Sequence, residues 1–305
     1  MKPFSLLLLL CGILASSLYG YSVIEDDRPL RIITIFAHPD DGEFKMGATA
    51  AMMADMGHEV KFLSITNGQA GHYSQGGDSL ASRRRSEAQE AAQRLGISSY
   101  KVLNYPDGEL EPSLEARKEI IREIRKWKAD VVIGHRPNDY HPDHRYSGVL
   151  VMDAAYMVIV PNIVSDVPPL KNNPVFLYMQ DSFTRPNPFR HDIVVGVDDA
   201  YMKRKMDALD AHESQLYEWL PWTIGIRDQV PENPVERRKW LQQDFMVRRQ
   251  LGKLSEQERD GIEFWYGERA GSHFKNAESF EIAEYGRQPG EDEIRRIFPM
   301  LRLQQ

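Results

Sequence analysis

The chain has 305 residues, of which 42% are apolar and 27% charged, and its formal net charge is −7. That balance belongs to a globular protein, long enough for one large α/β domain with an appendage. It excludes a basic, phosphate-tracking nucleic-acid binder, and the run Arg83-Arg84-Arg85, set among Glu87 and Glu90, reads as a solvated helix face.

Residues 1–20 form a separate segment. Lys2 precedes "PFSLLLLLCGILA", an apolar core of signal-peptide length, followed by the small residues of "SSLYG". It is shorter than the roughly 20 apolar residues that a membrane span needs. The expectation is an exported protein, periplasmic or extracellular, cut between Ser17 and Tyr21 and not stably inserted in a membrane afterwards. An uncleaved anchor is the alternative. Cys11 is the only cysteine and follows Leu10, where lipidation would want a small residue. The mature chain then has neither a disulfide nor a thiolate metal site.

From residue 31 onward, short β-branched runs alternate with longer amphipathic stretches. "RIITIFA" (31–37) reads as a strand buried on both faces, and 46–57 as a helix stopped by Gly57. Strand 59–66, helix 79–96 stopped by Gly96, strand 100–105, helix 113–129 and strand 130–135 follow. Beyond these the pattern gives a helix over 146–160, strands at 174–179 and 192–197, and a helix over 200–216. From Tyr217 tryptophan, proline and charge mix without clean periodicity, which reads as a C-terminal extension packed on the same domain. The fold class is therefore α/β: a three-layer, Rossmann-like, mostly parallel sheet made of right-handed βαβ units. The domain bounds are a signal peptide over 1–20, a main α/β domain over 21–216 and the extension over 217–305.

Two turns break the usual rules. His38-Pro39-Asp40-Asp41 follows the first strand, and His141-Pro142-Asp143-His144 lies beyond the fourth. Ligands of open α/β sheets sit at the carboxyl ends of strands. A dinucleotide-binding fold would carry glycines in the first of these turns, so an oxidoreductase or methyltransferase of that type is disfavoured. One His-x-x-Asp alone would be an ordinary polar turn. Two such clusters at strand ends form a nitrogen-and-oxygen ligand set suited to Zn²⁺ or a similar divalent transition metal such as Fe²⁺. Residues three apart in a first helical turn project to one side, which pairs His38 with Asp41 and His141 with His144.

These segments resemble the LmbE-like, or PIG-L, zinc-dependent de-N-acetylases. "AHPDDGEF" is similar to that family's Ala-His-Pro-Asp-Asp-Glu signature with Gly42 inserted, and "HRPNDYHPDHR" to its second signature. Between them "TNGQAGH", "RRSEAQEAAQRLG" and "YPDGEL" follow the family's order. "KMDALDAHESQ" and "NAESFEIAEYGR" are similar to the closing segments of its longer bacterial members. The resemblance implies that residues 21–216 are a de-N-acetylase domain in which His38, Asp41 and His144 bind the metal. It also implies that Asp40 is the general base acting on the metal-bound water, that His141 stabilises the oxyanion or protonates the leaving amine, and that Asp143 orients His141. Arg84 and Asp107 match positions that hold sugar hydroxyls, and His212 matches a segment near the pocket mouth.

The implied reaction is metal-dependent hydrolysis of the N-acetyl amide of an amino sugar or glycoconjugate, with a small-molecule or glycan substrate. Hydrolysis of a different amide or conjugate bond, or carbohydrate binding around a structural metal, are the alternatives. His135, Asn138 and Asp139 suit either hydrogen bonding to the ligands or loop capping. Trp219, Trp222, Trp240 and Trp265 offer a sugar-stacking surface, but their expected place is the core of the extension. Oligomeric state is not legible.

Overall fold

The computed structural model describes residues 28–246 and 252–301; the expected signal segment lies outside the described residues. Strands β1 (Arg31–Phe36), β2 (Glu59–Thr66), β3 (Ser99–Tyr105) and β4 (Val131–Gly134) fall where the apolar runs place them, and β5 (Val175–Met179) and β6 (Ile193–Val197) follow. They belong to one seven-stranded sheet of order β3-β2-β1-β4-β5-β7-β6, parallel from β3 through β5. Successive residues of β1 enter opposite cores. Ile32 and Phe36 pack with Val60 and Phe62 under helices α1 (Asp41–Asp55) and α2 (Gly77–Leu95). Ile33 and Ile35 pack with Leu63, Ile65 and the isoleucines Ile120, Ile121 and Ile124 of helix α3 (Leu114–Trp127). A strand so enclosed must be apolar throughout, as "RIITIF" is.

Helix ends show where local chemistry is legible and where it is not. Gly96 adopts φ 73° after α2, as its role of stop requires. By contrast α1 starts at Asp41, five residues before the start that periodicity predicts, so the His-Pro-Asp-Asp turn runs straight into it. Asp41 and Glu43 sit in its first turn, where carboxylates meet the positive end of the helix. Gly42 is required there, because a Cβ would lie 2.6 Å from the Phe36 ring. Helix α4 (Pro142–Met157) likewise starts early, with Pro142 in its first turn and His141 as its N-cap.

The extension is not an appendage. Its strand β7 (Asn276–Gly286) inserts between β5 and β6 and pairs antiparallel with both. Glu278, Glu281 and Glu284 interrupt the apolar pattern of this stretch, which is why it does not read as a strand. Glu278 is buried for a reason: α1 is broken at Met46 (φ −148°, ψ 23°). The Glu278 carboxylate accepts the freed amides of Ala48 (3.1 Å) and Thr49 (2.7 Å). Lys205 of helix α5 (Asp199–Ala211) donates to the Phe44 carbonyl at 2.9 Å and to Glu278 at 2.7 Å. One buried ion pair thus completes both halves of the broken helix. On the other face the buried Arg125 of α3 donates to the carbonyls of Met157, Val158, Val160, Ile163, Val164 and Val167, pinning the segment after α4.

Glu278→Ala should cost about 3–5 kcal/mol in denaturant unfolding, the scale of a buried pair broken on one side. Replacing the pair together, Lys205→Met with Glu278→Leu, should not restore stability, because the α1 amides and carbonyl keep no partner. A cost under about 1 kcal/mol for the single change would show that the pair does not support α1.

Candidate active site

The chain proceeds outward from β1 to β2 and β3, then returns to lay β4 on the other side of β1. Loops leaving β1 and β4 therefore diverge at this switch point and open a crevice at their carboxyl ends. Both His-Pro-Asp turns line it. The first is tied by hydrogen bonds to the His38 carbonyl from the amides of Asp40 (2.9 Å) and Asp41 (3.2 Å), and from the His38 amide back to Asp41 Oδ2 (2.8 Å).

Donor atoms of three residues converge across the crevice. His38 Nδ1 is 3.2 Å from His144 Nε2 and 3.6 Å from Asp41 Oδ2, and His144 Nε2 is 3.4 Å from Asp41 Oδ1. Ligands about 2.0–2.1 Å from a tetrahedral zinc ion would lie about 3.4 Å apart. The far nitrogen of each imidazole is held by carboxylate: His38 Nε2 donates to Asp107 (3.0 Å) and Asp143 (3.2 Å), and His144 Nδ1 to Asp139 (3.0 Å). That arrangement leaves the near nitrogens as lone-pair donors, the usual form of a metal-ligating histidine. His135 stacks on His144 at 4.4 Å and approaches Asp41 Oδ2 at 3.3 Å, so it orients the carboxylate. Burial, followed by the charge of His144, pushes His135 down to about 4, which keeps it neutral. Burial alone would raise Asp41, but His144, His135 and His38 hold it well below the usual carboxylate range.

Overlapping groupings bring His141 beside His38 and His144, and His135 beside Asp41 and His144. The donor set is nitrogen and carboxylate oxygen without sulfur, and five aspartates (Asp40, Asp41, Asp107, Asp139, Asp143) surround it. Such a set fits a divalent transition-metal ion.

Asp40 stands beside this set without joining it. Its carboxylate accepts from Arg84 at 3.2 Å, and Arg84 also lies 3.8 Å from Asp107. Burial pushes Asp40 up to about 6 despite the Arg84 guanidinium, which lowers it. His141 Nδ1 accepts the Asp143 amide at 3.2 Å, so Nε2 carries the proton of its neutral ring. Burial and the neighbouring His38 and His144 lower its pKa.

Two sequence expectations change here. Asp143 does not orient His141 by its carboxylate: that group donates nothing and accepts from His38, from the Gly108 amide (2.7 Å) and from the Leu110 amide (3.3 Å). The link to His141 runs through the Asp143 backbone, because helix capping claims the imidazole first. His212 does not reach the pocket mouth. It is fully buried against Glu43 at 3.0 Å, behind the first turn of α1. Arg84 and Asp107 do line the cavity, but each is already engaged by Asp40 or His38. Asn138 ties the neighbouring loop instead, donating to the Arg185 carbonyl.

The cavity around these groups measures about 660 Å³. Its farther wall uses Asp181, Ser182 and Phe183 beyond β5, which no motif flags, together with Gln215, the last residue of "KMDALDAHESQ", and Trp219, both from the π-helical turn Ser214–Trp219. Such a turn has no signature in a single sequence, although one often marks a functional site.

Comparison with known proteins identifies the relatives of this chain. Residues 33–155 match the family model described as PIG-L, GlcNAc-PI de-N-acetylase. The chain is 32% identical over 209 residues to a diacetylchitobiose deacetylase of Thermococcus kodakarensis, covering 65% of this chain and 75% of that protein. It is 31% identical over 158 residues to a 1D-myo-inositol 2-acetamido-2-deoxy-alpha-D-glucopyranoside deacetylase of Kineococcus radiotolerans, spanning 39% of this chain but only 42% of the relative. Among solved structures it is similar to an N,N'-diacetylchitobiose deacetylase from Pyrococcus horikoshii, with a TM-score of 0.60, 27% identity and 83% of each chain covered.

The carboxylate behind His144 gives a direct test of the donor set. Asp139→Asn should weaken zinc affinity about 10–100-fold in a competitive chelator titration while leaving the fold intact. Unchanged affinity would mean that His144 Nε2 is not a ligand.

Proposed function

The chain belongs to the PIG-L (GlcNAc-PI de-N-acetylase) family, and from that premise we propose that it hydrolyses the N-acetyl amide of an amino sugar or glycoconjugate, releasing acetate and a free amine. The observation that carries this reading is the convergence of His38, Asp41 and His144, with the unligated carboxylate of Asp40 beside them in one cavity. His38, Asp41 and His144 would hold a zinc ion, which when bound would supply Lewis acidity toward a water and a carbonyl; the same nitrogen-and-oxygen set would suit Fe²⁺.

The residues of the chain account for the remaining chemistry. Asp40, held by Arg84, accepts a proton from the water that attacks the acetamide carbon. Its raised pKa of about 6 lets it later return that proton. His141 points its protonated Nε2 outward from the helix N-terminus and donates to the carbonyl oxygen as negative charge develops there. The carbon–nitrogen bond then breaks as the amine takes from Asp40 the proton that Asp40 accepted from the water, because a neutral His141 can donate a hydrogen bond but has no acidic proton to give. Asp143 and Asp107 hold His38 at its far nitrogen, and Asp107 faces the cavity where a sugar hydroxyl can donate to it. A protein that only bound carbohydrate would need neither the buried Asp40–Arg84 pair nor a capping histidine turned toward the ligand set.

Residues 1–20 as an export signal, with the substrate met outside the cytoplasm, belong to the same proposal. Among the described residues no helix is long and apolar enough to cross a membrane.

Acetate release from a panel of N-acetylated amino sugars and chitooligosaccharides should require zinc and stop on chelation. Asp40→Asn should keep its metal content yet lose at least about a hundredfold in kcat. Full activity in that variant would sink the mechanism.

A further inference from the structure

A stack of four rings ends at the cavity, which its last member, Trp219, lines. His72 lies on Tyr73 at 4.5 Å and 23°, Tyr73 on Trp222 at 5.5 Å and 19°, and Trp222 on Trp219 at 5.2 Å and 18°. Each inner ring has two ring neighbours, although Tyr73 and Trp222 remain exposed at their edges, at 41% and 49%. The His72 end is sealed: its side chain is 2% exposed, and Nε2 meets Glu218 at 2.9 Å, which Arg83 grips with two further bonds of 2.8 and 2.6 Å.

The Trp219 end is half-buried and reaches the cavity. That indole lines the same cavity as His38, Asp40 and Asp41, and no ring covers its other face among the described residues. It leaves the same π-helical turn as Gln215, which also lines the cavity and is fixed by donating to the Gly71 carbonyl at 2.9 Å. The position of Trp219 is thus set before any ligand arrives. Trp240 and Trp265, buried at 8% and 2%, take the core role expected of all four.

We propose that the cavity-facing side of Trp219 is a subsite for a second pyranose, one that stacks on the indole while the acetamido sugar occupies the ligand-bearing end. Sugars with all-equatorial substituents present axial C–H groups on each ring face, and these carry the slight positive charge that suits the negative face of an indole. A cavity of about 660 Å³ is of the size that holds a drug-sized guest, larger than one aminosugar requires. The inference rests on the deacetylase reading and narrows its substrate class to a disaccharide or longer glycan.

The test compares acetate release from N-acetylglucosamine, from its β-1,4-linked dimer and from its phenyl glycoside. The enzyme should favour the dimer. Trp219→Ala should cut kcat/KM for the dimer by about tenfold, the scale of one aromatic stacking contact, chiefly through KM. The same variant should leave the monosaccharide within about twofold, and Trp219→Phe should restore most of the loss. Equal losses on both sugars, no loss on either, or a Trp219-dependent gain shown by the phenyl glycoside alone would overturn the subsite. If no substrate yields acetate, the deacetylase reading fails and calorimetric titration with the dimer decides the subsite separately. Binding that Trp219→Ala abolishes supports it, and absence of binding overturns it.

Discussion

The far nitrogen of His38 is the point on which the upper end of the molecule depends. Two carboxylates compete for its single proton, and each arrives on a different loop: Asp107 after β3, Asp143 in the first turn of α4. Asp143 in turn accepts the amides of Gly108 and Leu110, so the loop after β3 is bound to α4 through the same group. The imidazole can offer its near nitrogen to a cation only because these acids hold the other. Without a cation, burial would push its proton off, yet the hydrogen bonds to Asp107, Asp143 and Asp41 raise its pKa well above the ordinary value. A site with such an excess of buried carboxylate is incomplete without positive charge, and this is the physical reason to place a metal there.

Much of this was legible in the chain. The alternation of strand and helix located the parallel strands to within a residue or two, because strands buried on both faces must be apolar along their whole length. The two His-Pro-Asp segments stood out since turns rarely use imidazole and carboxylate together. What the chain did not disclose was which partner each polar group would take. The resemblance assigned Asp143 to His141, two positions before it, but its carboxylate reaches His38, 105 positions away, and its own amide serves as the capped group. His212 read as a mouth residue through its neighbours in a family segment. In the fold it faces inward, because Glu43 in the first turn of α1 needs a buried partner.

The larger miss, β7, has a related cause. Periodicity arguments assume that buried positions are apolar, and Glu278 violates that near the start of a strand. The charge is there for α1, whose break at Met46 leaves amides and a carbonyl that only groups from elsewhere can satisfy. Local rules fail where one element is built to repair another. The same holds for the aromatic stack: Trp219 and Trp222 look like core residues by type, and only the turn after α5 shows that Trp219 lines the cavity with Trp222 stacked on it.

The repair of α1 also sets an order of events. Ala48 and Glu278 are 230 positions apart, so the helix that carries Asp41 waits for nearly the whole chain before its second half is capped. A partly synthesised chain can pair β1, β2 and β3 but can seat neither β7 nor the ion pair beneath the ligands. Contacts of such separation form late and slowly, because a long loop must close before they reward it. Assembly of the metal centre is therefore deferred to the end of synthesis. That timing suits a chain which, if exported as proposed, must pass through a membrane unfolded before it can hold an ion.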